Sequence, residues 1–444
     1  MEKMNDKEVM ILNSLKTWMV LPAVMAAFSL AAAGELSPES AAFLAARPAD
    51  AQVRMTQAVR DALAGNPAAL DDVRATMLHD VPPPTGIRLE NTTASGRKLR
   101  FYHPGAARKK SIMLYLHGGG WTLGGIEGSA RFCGDFAKET GIDVATLDYR
   151  LAPEHQAPAA LQDALAAVGL LQARGYRRIY LSGDSAGGNL AAAAAWKLRS
   201  EIAGTVLYYP VVLAKNDASE SWKKFGGGFG LDGALMDAFN ESYAPGKLAD
   251  DPMVSPLLAT EFDGYPETLI VAAECDVLFD QGRAFGERLE EHGIRVEHRI
   301  VPGALHAFMT YPNMEQAYRT GLQAAVEFII KLERKNMNAV TPESIVRLSE
   351  VTVDPARLSE YLAFVTECGR RSMAEEPGVL LMYSMQDKAQ PERITILEIY
   401  ADRTAYEHHI QTPHFQKYKQ GTLKMVRKLE LLDQTPLVPE MKMK

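Results

Sequence analysis

Between Ile87 and about Lys331, short apolar or β-branched runs alternate with longer Ala- and Leu-rich stretches. Ile112–Leu116, Val144–Leu147, Ile179–Leu181, Thr205–Tyr208 and Leu269–Ala273 are apolar at most positions, the pattern of strands covered on both faces. The intervening Pro158–Arg174 and Asn189–Leu198 read as helices, and the Ala191–Ala195 run within the second fits a tightly packed one. Gln316–Arg334 reads as a long closing helix. This alternation predicts an α/β fold around a mostly parallel sheet.

The pattern then changes. A linker over 336–343 leads into a strand-like Ser344–Val353 and a helical Pro355–Glu376 with proline at its start. Val379–Gln386 and Arg393–Tyr400 read as strands around a polar turn holding Pro391. Ala405–Lys419 reads as a helix and Val426–Leu432 as a last strand. A chain of 444 residues exceeds what one core usually organises, so two domains are expected, over 35–335 and 344–444. The second is a small α+β unit.

Trp18–Gly34 is an uncharged, mostly apolar run ending in small residues. It fits either the core of a secretory signal, with residues 10–33 directing export to the periplasm or beyond, or an apolar helix of a cap over a site, in which case the protein is cytoplasmic. Glu2, Asp6 and Glu8 offset Lys3 and Lys7, an objection that initiation at Met10 would remove. The run is short and interrupted by Pro22, so no stable membrane span is expected.

The formal charge of −7 and the lack of a dense basic stripe argue against nucleic acid, and Arg108-Lys109-Lys110 reads as a solvated loop. Cys133, Cys275 and Cys368 lie far apart in no metal-like spacing and read as small buried thiols.

The chemistry begins at Gly183-Asp184-Ser185-Ala186-Gly187, which follows the strand-like Arg178–Leu181 and opens a helix. A strand, sharp turn and helix hold such a serine exposed, and the flanking glycines avoid collision with the neighbouring strand and helix. Ser185 is the expected nucleophile. His117-Gly118-Gly119-Gly120-Trp121 directly follows another strand, where side-chain-free residues let backbone N–H groups face a cavity. The N–H groups of Gly118, Gly119 and Ala186 are the expected oxyanion hole. A phosphate-binding loop would need a following Lys-Ser/Thr, which is absent. His117 precedes the glycines and reads as structural. Trp121 and Asp184 are the candidate substrate contacts.

In this architecture the acid and base follow the nucleophile in chain order. Asp276, just past the strand Leu269–Ala273, is the expected acid, with Glu274 a weaker rival and Asp280 an anchor for the next helix. His306, in Pro302-Gly303-Ala304-Leu305-His306, follows the last strand-like run, Val296–Val301, and is the expected base. His79, His103, His155, His292 and His298 read as surface residues. The resulting chemistry is acyl transfer from an ester through Ser185, with no cofactor or metal required.

Together with Asp148-Tyr149-Arg150-Leu151-Ala152-Pro153-Glu154, these motifs resemble the hormone-sensitive lipase-like bacterial esterases, family IV, from about Leu70 to Arg334. The resemblance implies an α/β-hydrolase fold, a helical cap partly within Leu36–Ala75, and activity on short-chain esters. It also implies architectural roles for Arg150 and Glu154.

Leu397–Asp402 and His408-His409-Ile410-Gln411-Thr412-Pro413-His414-Phe415 are similar to the antibiotic biosynthesis monooxygenase family over about Ser344–Leu432. That similarity implies a ferredoxin-like fold that dimerises through its sheet, so a homodimer is expected. Some members oxidise quinols or polyketides without a cofactor, which keeps open a bifunctional esterase and monooxygenase beside an esterase whose tail serves dimerisation or shapes the site. His409 and His414 could line a pocket or bind a metal, but they read as structural, because no further acid or cysteine is placed with them. The intact hydrolase set argues against a non-enzymatic scaffold.

Overall fold

A computed structural model of the chain describes residues 35–76, 84–105, 110–337 and 340–437. Trp18–Gly34, with its signal and cap-helix readings, lies outside the described residues, as do His79 and the Arg108-Lys109 pair. Two compact units, Met1–Ile329 and Ile330–Lys444, meet within one long helix. That helix continues to Met337, into the stretch expected as a linker.

Helices α1 (Pro38–Ala46), α2 (Ala51–Leu63) and α3 (Asp71–Thr76) precede the main sheet. The first starts where the Ser37 side chain accepts the Ser40 N–H and Pro38 supplies a helical φ without an orphan donor. The sheet has the order β1-β2-β4-β3-β5-β6-β7-β8. β1 (Ile87–Ala94) and β2 (Arg97–Pro104) form an antiparallel hairpin, and β2 pairs antiparallel with β4. From β3 (Ser111–Leu116) and β4 (Asp143–Leu147) through β5 (Arg178–Asp184), β6 (Gly204–Tyr208), β7 (Thr268–Cys275) and β8 (Val296–Leu305) the neighbours are parallel. Every residue of β3, β4 and β6 is buried, which requires cover on both faces because successive side chains point to opposite sides. The connections are α4 (Ala130–Thr140), α5 (Ala159–Ala173), α6 (Ala186–Leu198), α7 (Glu220–Phe225), α8 (Gly233–Tyr243) and α9 (Phe279–Glu291), and α10 (Glu315–Met337) follows β8.

Between β6 and β7 the chain leaves the sheet to form α7 and α8, which meet the amino-terminal helices. Arg47 Nη1 donates to the Gly230 carbonyl at 2.8 Å, and the Asp232 N–H to Gln52 Oε1 at 3.2 Å. The cap is therefore assembled from two distant stretches of sequence. One expectation fails in the hairpin: His103 is buried, with Nδ1 3.1 Å from Asp143 and Nε2 3.4 Å from Glu90. Its strand position turns it inward between two carboxylates, which the local sequence does not announce.

The second unit is an antiparallel sheet of order β10-β11-β9-β12, built from β9 (Ile345–Val353), β10 (Val379–Gln386), β11 (Arg393–Tyr400) and β12 (Val426–Gln434). It is a ferredoxin-like α+β unit. Val351, Val353, Ile394 and Ile396 of one face pack with Tyr361 and Val365 of α11 (Leu358–Glu375). The helix expected over Ala405–Lys419 is broken into α12 (Arg403–His409) and α13 (Pro413–Thr422). Thr412 stops the continuation by capping the Phe415 N–H with its side chain, and Pro413 has no N–H to donate. On the opposite sheet face, Leu397 pairs with Leu348 and Tyr383, and Leu348 with Leu432. Tyr383 and Leu432 are 60% and 42% exposed, leaving an apolar strip open to solvent. No helix among the described residues is long and apolar enough to cross a membrane.

Candidate active site

Parallel register brings the distant motifs together. Cys275 lies opposite Leu305, so the next residues, Asp276 and His306, emerge side by side at the carboxyl ends of β7 and β8. Asp184 lies opposite Tyr208, and Ser185 follows at the head of α6. Leu116 lies opposite Gly183, which sets the His117–Gly120 loop beside the serine turn. The crossing is close enough that a Cβ on Gly187 would overlap the Leu116 carbonyl oxygen.

Ser185 adopts φ 55° and ψ −118°, a conformation that L residues rarely hold without surrounding support. Its N–H donates to the Tyr208 carbonyl at 2.9 Å. Ser185 Oγ lies 2.9 Å from His306 Nε2, and His306 Nδ1 lies 2.7 Å from Asp276 Oδ2. Asp276 Oδ1 accepts the Leu278 N–H at 3.0 Å, so the carboxylate is fixed at both oxygens. All three side chains are buried, with Ser185 and His306 retaining only 6% and 7% exposure. The rival Glu274 is turned away and accepts the Gly303 N–H at 2.7 Å. Asp280 accepts the Ser221 N–H at 2.8 Å, an anchoring contact between α9 and α7.

Three other expected site residues stand differently. The Gly118 N–H, expected in the oxyanion hole, donates to Asp184 Oδ1 at 2.9 Å and is already engaged. Among the described residues, the N–H groups of Gly119 and Gly120 have no protein acceptor. Asp184, expected to contact substrate, accepts from both Gly118 and the Tyr115 hydroxyl on one oxygen and is 3% exposed. Burial pushes its carboxyl up, a shift that the Tyr115 donor only partly offsets. Trp121, the other expected substrate contact, is fully buried and stacks on Tyr243 with ring centroids 4.4 Å apart. Its side chain belongs to the packing beneath the cap. His117 reads as structural here too: Tyr149 stacks on its ring at 4.2 Å and donates to its carbonyl at 2.6 Å.

Supporting residues without a local motif complete the site. The Tyr209 ring lies 4.7 Å from that of His306, and its hydroxyl accepts the Met309 N–H at 3.2 Å. Arg74 of α3 donates from Nε to the Thr122 carbonyl and from Nη2 to the Ala152 carbonyl, each at 3.0 Å. It also pairs with both oxygens of Glu154, at 2.7 and 2.8 Å, and this holds the Glu154 carboxyl below its ordinary value. Arg150 makes a similar two-pronged contact with Asp163. The glycine loop is thus tied to the cap and to the Asp148–Glu154 stretch.

In the second unit, His409 and His414 do meet an acid. Glu376 Oε1 lies 2.9 Å from His409 Nδ1 and 2.6 Å from His414 Nε2, correcting the view that no acid accompanies them. Glu376 stands at the far end of α11, well before the histidines in sequence, and only the fold closes that gap.

Residues 113–310 match the family described as alpha/beta hydrolase fold, and residues 344–421 the antibiotic biosynthesis monooxygenase family. An ethyl acetate hydrolase from Pseudomonas putida is 35% identical over 260 residues, covering 54% of this chain and 80% of that protein. The chain belongs to the α/β-hydrolase family. The carboxylesterase NlhH of Mycobacterium tuberculosis is 33% identical over 247 residues, spanning 51% of this α/β-hydrolase and 76% of NlhH. Among solved structures, an esterase from Pyrobaculum calidifontis is 28% identical with a TM-score of 0.57, covering 67% of this chain and 99% of that one. A thermostable esterase from Pseudomonas putida is 27% identical with a TM-score of 0.58, covering 67% and 98%. The resemblance to hormone-sensitive lipase-like esterases holds, and this α/β-hydrolase carries an antibiotic biosynthesis monooxygenase domain behind it.

Proposed function

We propose that this carboxylic ester hydrolase works through an acyl-enzyme on Ser185 and acts on short-chain esters. The observation that carries the reading is the continuous chain from Ser185 Oγ to His306 Nε2 and from His306 Nδ1 to Asp276 Oδ2. Ser185 Oγ attacks the ester carbonyl as its proton passes to His306 Nε2. The C–O bond to the alcohol then breaks, and His306 returns the proton to the leaving oxygen. Water, deprotonated by the same imidazole, attacks the acyl carbon; the bond to Ser185 Oγ breaks, His306 returns the proton to that oxygen, and the acid is released. Asp276 holds the Nδ1–H tautomer and stabilises the imidazolium.

Charge on the carbonyl oxygen is met by the N–H groups of Gly119, Gly120 and Ala186, since that of Gly118 is engaged by Asp184. Ala186 opens α6, where backbone donors have no partner one turn earlier. The name of the ethyl acetate hydrolase supports small acyl and alcohol groups. The carboxyl-terminal domain, read over 344–444 beyond a 336–343 connection, serves as a homodimerisation module through its apolar sheet face.

A Ser185→Ala protein should lose hydrolysis of p-nitrophenyl acetate and butyrate by a factor on the order of 10⁶. Mass spectrometry of the wild type, quenched during turnover, should find the acyl group on the Ser185 peptide. Retained hydrolysis by the variant would overturn the reading.

A further inference from the structure

Glu376, His409 and His414 take no part in ester hydrolysis, yet they converge on one buried point. Glu376 caps the end of α11, His409 is the last residue of α12, and His414 is the second of α13. They are 5%, 1% and 4% exposed. We propose that Glu376 Oε1, His409 Nδ1 and His414 Nε2 form a binding site for a divalent first-row transition ion of the zinc class.

Spacing is the first argument. Ligands bound tetrahedrally at about 2.0–2.2 Å from zinc stand roughly 3.3–3.6 Å from each other. The two carboxylate–imidazole separations, 2.9 and 2.6 Å, reach that range by opening about 0.4–1.0 Å. All three ligand atoms lie within 4.8 Å of one another.

The donor set is the second. Two imidazoles and one carboxylate suit zinc and its neighbours, whereas calcium and magnesium favour all-oxygen surroundings. Three protein ligands leave a coordination position for water or a small anion.

The third argument is what remains unsatisfied. Glu376 Oε2 and His414 Nδ1 are buried without a hydrogen-bond partner, Oε2 lying 3.6 Å from His408 Nδ1. A buried carboxylate with one idle oxygen is costly, and a bound cation compensates its charge directly. Glu375 Oε2 stands 3.9 Å from His414 Nδ1, on the side where a metal-bound imidazole customarily finds a carboxylate. The Thr412 hydroxyl, 3.2 Å from His414 Nε2, donates at 2.8 Å to the His409 carbonyl and so steadies the turn between the two histidines.

The test uses full-length protein freed of metal by a chelator and then dialysed against Zn²⁺, with Co²⁺ as a spectroscopic probe. The wild type should bind one Zn²⁺ per chain, and Co²⁺ should give visible ligand-field bands without a thiolate charge-transfer band. His414→Ala and Glu376→Gln should weaken binding by more than about 100-fold, since even residues that only orient ligands contribute about 10–100-fold. Ser185→Ala should bind as the wild type does. No zinc above background, or equal binding by wild type and both variants, would overturn the site and leave Glu376 as a hydrogen-bonding clamp on two imidazoles. Should either variant fail to fold, the wild-type Co²⁺ spectrum decides alone: absent bands, or a thiolate band, overturn the proposal.

Discussion

The Gly118 N–H donates to Asp184 Oδ1 at 2.9 Å, so the residue before the nucleophile braces the glycine loop from beneath. The Tyr115 hydroxyl donates to the same oxygen at 2.9 Å and fixes its direction. Losing this brace frees the loop next to the reacting carbonyl, where a displacement of about 1 Å can cost about 100-fold in rate. Asp184→Ala should therefore lower kcat on short p-nitrophenyl esters by about 100-fold with little change in KM. Asp184→Asn keeps an oxygen acceptor and should recover most of the loss. Steady-state kinetics check this, and an unchanged kcat in Asp184→Ala would rule out the brace.

Arg74 and Glu154 link α3 to the loops around the glycine turn, and their contribution depends on pH. The hydrogen bond from Arg74 holds the folded Glu154 carboxyl below its ordinary 4.5. A depressed folded value stabilises the protein above about pH 4.5 and stops doing so as pH falls through that value. Glu154 is more than a third exposed, so solvent limits the effect to at most about 1 kcal/mol. Glu154→Gln should melt about 2 °C lower than the wild type at pH 7. The gap should narrow as thermal scans move below about pH 4.5. A gap that widens in acid would contradict the assignment.

The apolar strip of Leu348, Leu397, Leu432 and Tyr383 predicts the behaviour of the second unit in solution. Exposed patches of this kind on a sheet favour burial against a second copy. Size-exclusion chromatography with light scattering should give a dimer for the wild type and a monomer for Leu397→Lys/Leu432→Lys. Hydrolysis of p-nitrophenyl acetate should stay within about twofold, because Ser185, His306 and Asp276 lie together in the other unit. A monomeric wild type would remove dimerisation as the domain's role.

Much of the fold was legible because its signals are local. Val379–Gln386 and Arg393–Tyr400 are strands over the ranges their patterns suggested, and the interior strands of the first unit extend theirs by a few residues. The split of Ala405–Lys419 is hidden in the sequence although Thr412-Pro413 suits a helix start, since the helical periodicity on either side masks it. His103 is not legible as buried, because one strand residue looks alike on either face until its partners are known.

The sequence by itself determined the chemistry on offer: a serine between glycines, a glycine loop after a strand, and an acid and a histidine placed after later strands. These are signalled by neighbours a few residues away, where chain geometry restricts which residues fit. Only the tertiary structure decided which polar groups those residues meet. The Gly118 N–H turned to Asp184 rather than to the cavity, Trp121 went into the packing beneath the cap, and Glu376 reached His409 and His414 from another helix. A hydrogen bond depends on direction over about 3 Å. That direction comes from strand register and helix packing between segments far apart in the chain, which local patterns do not encode.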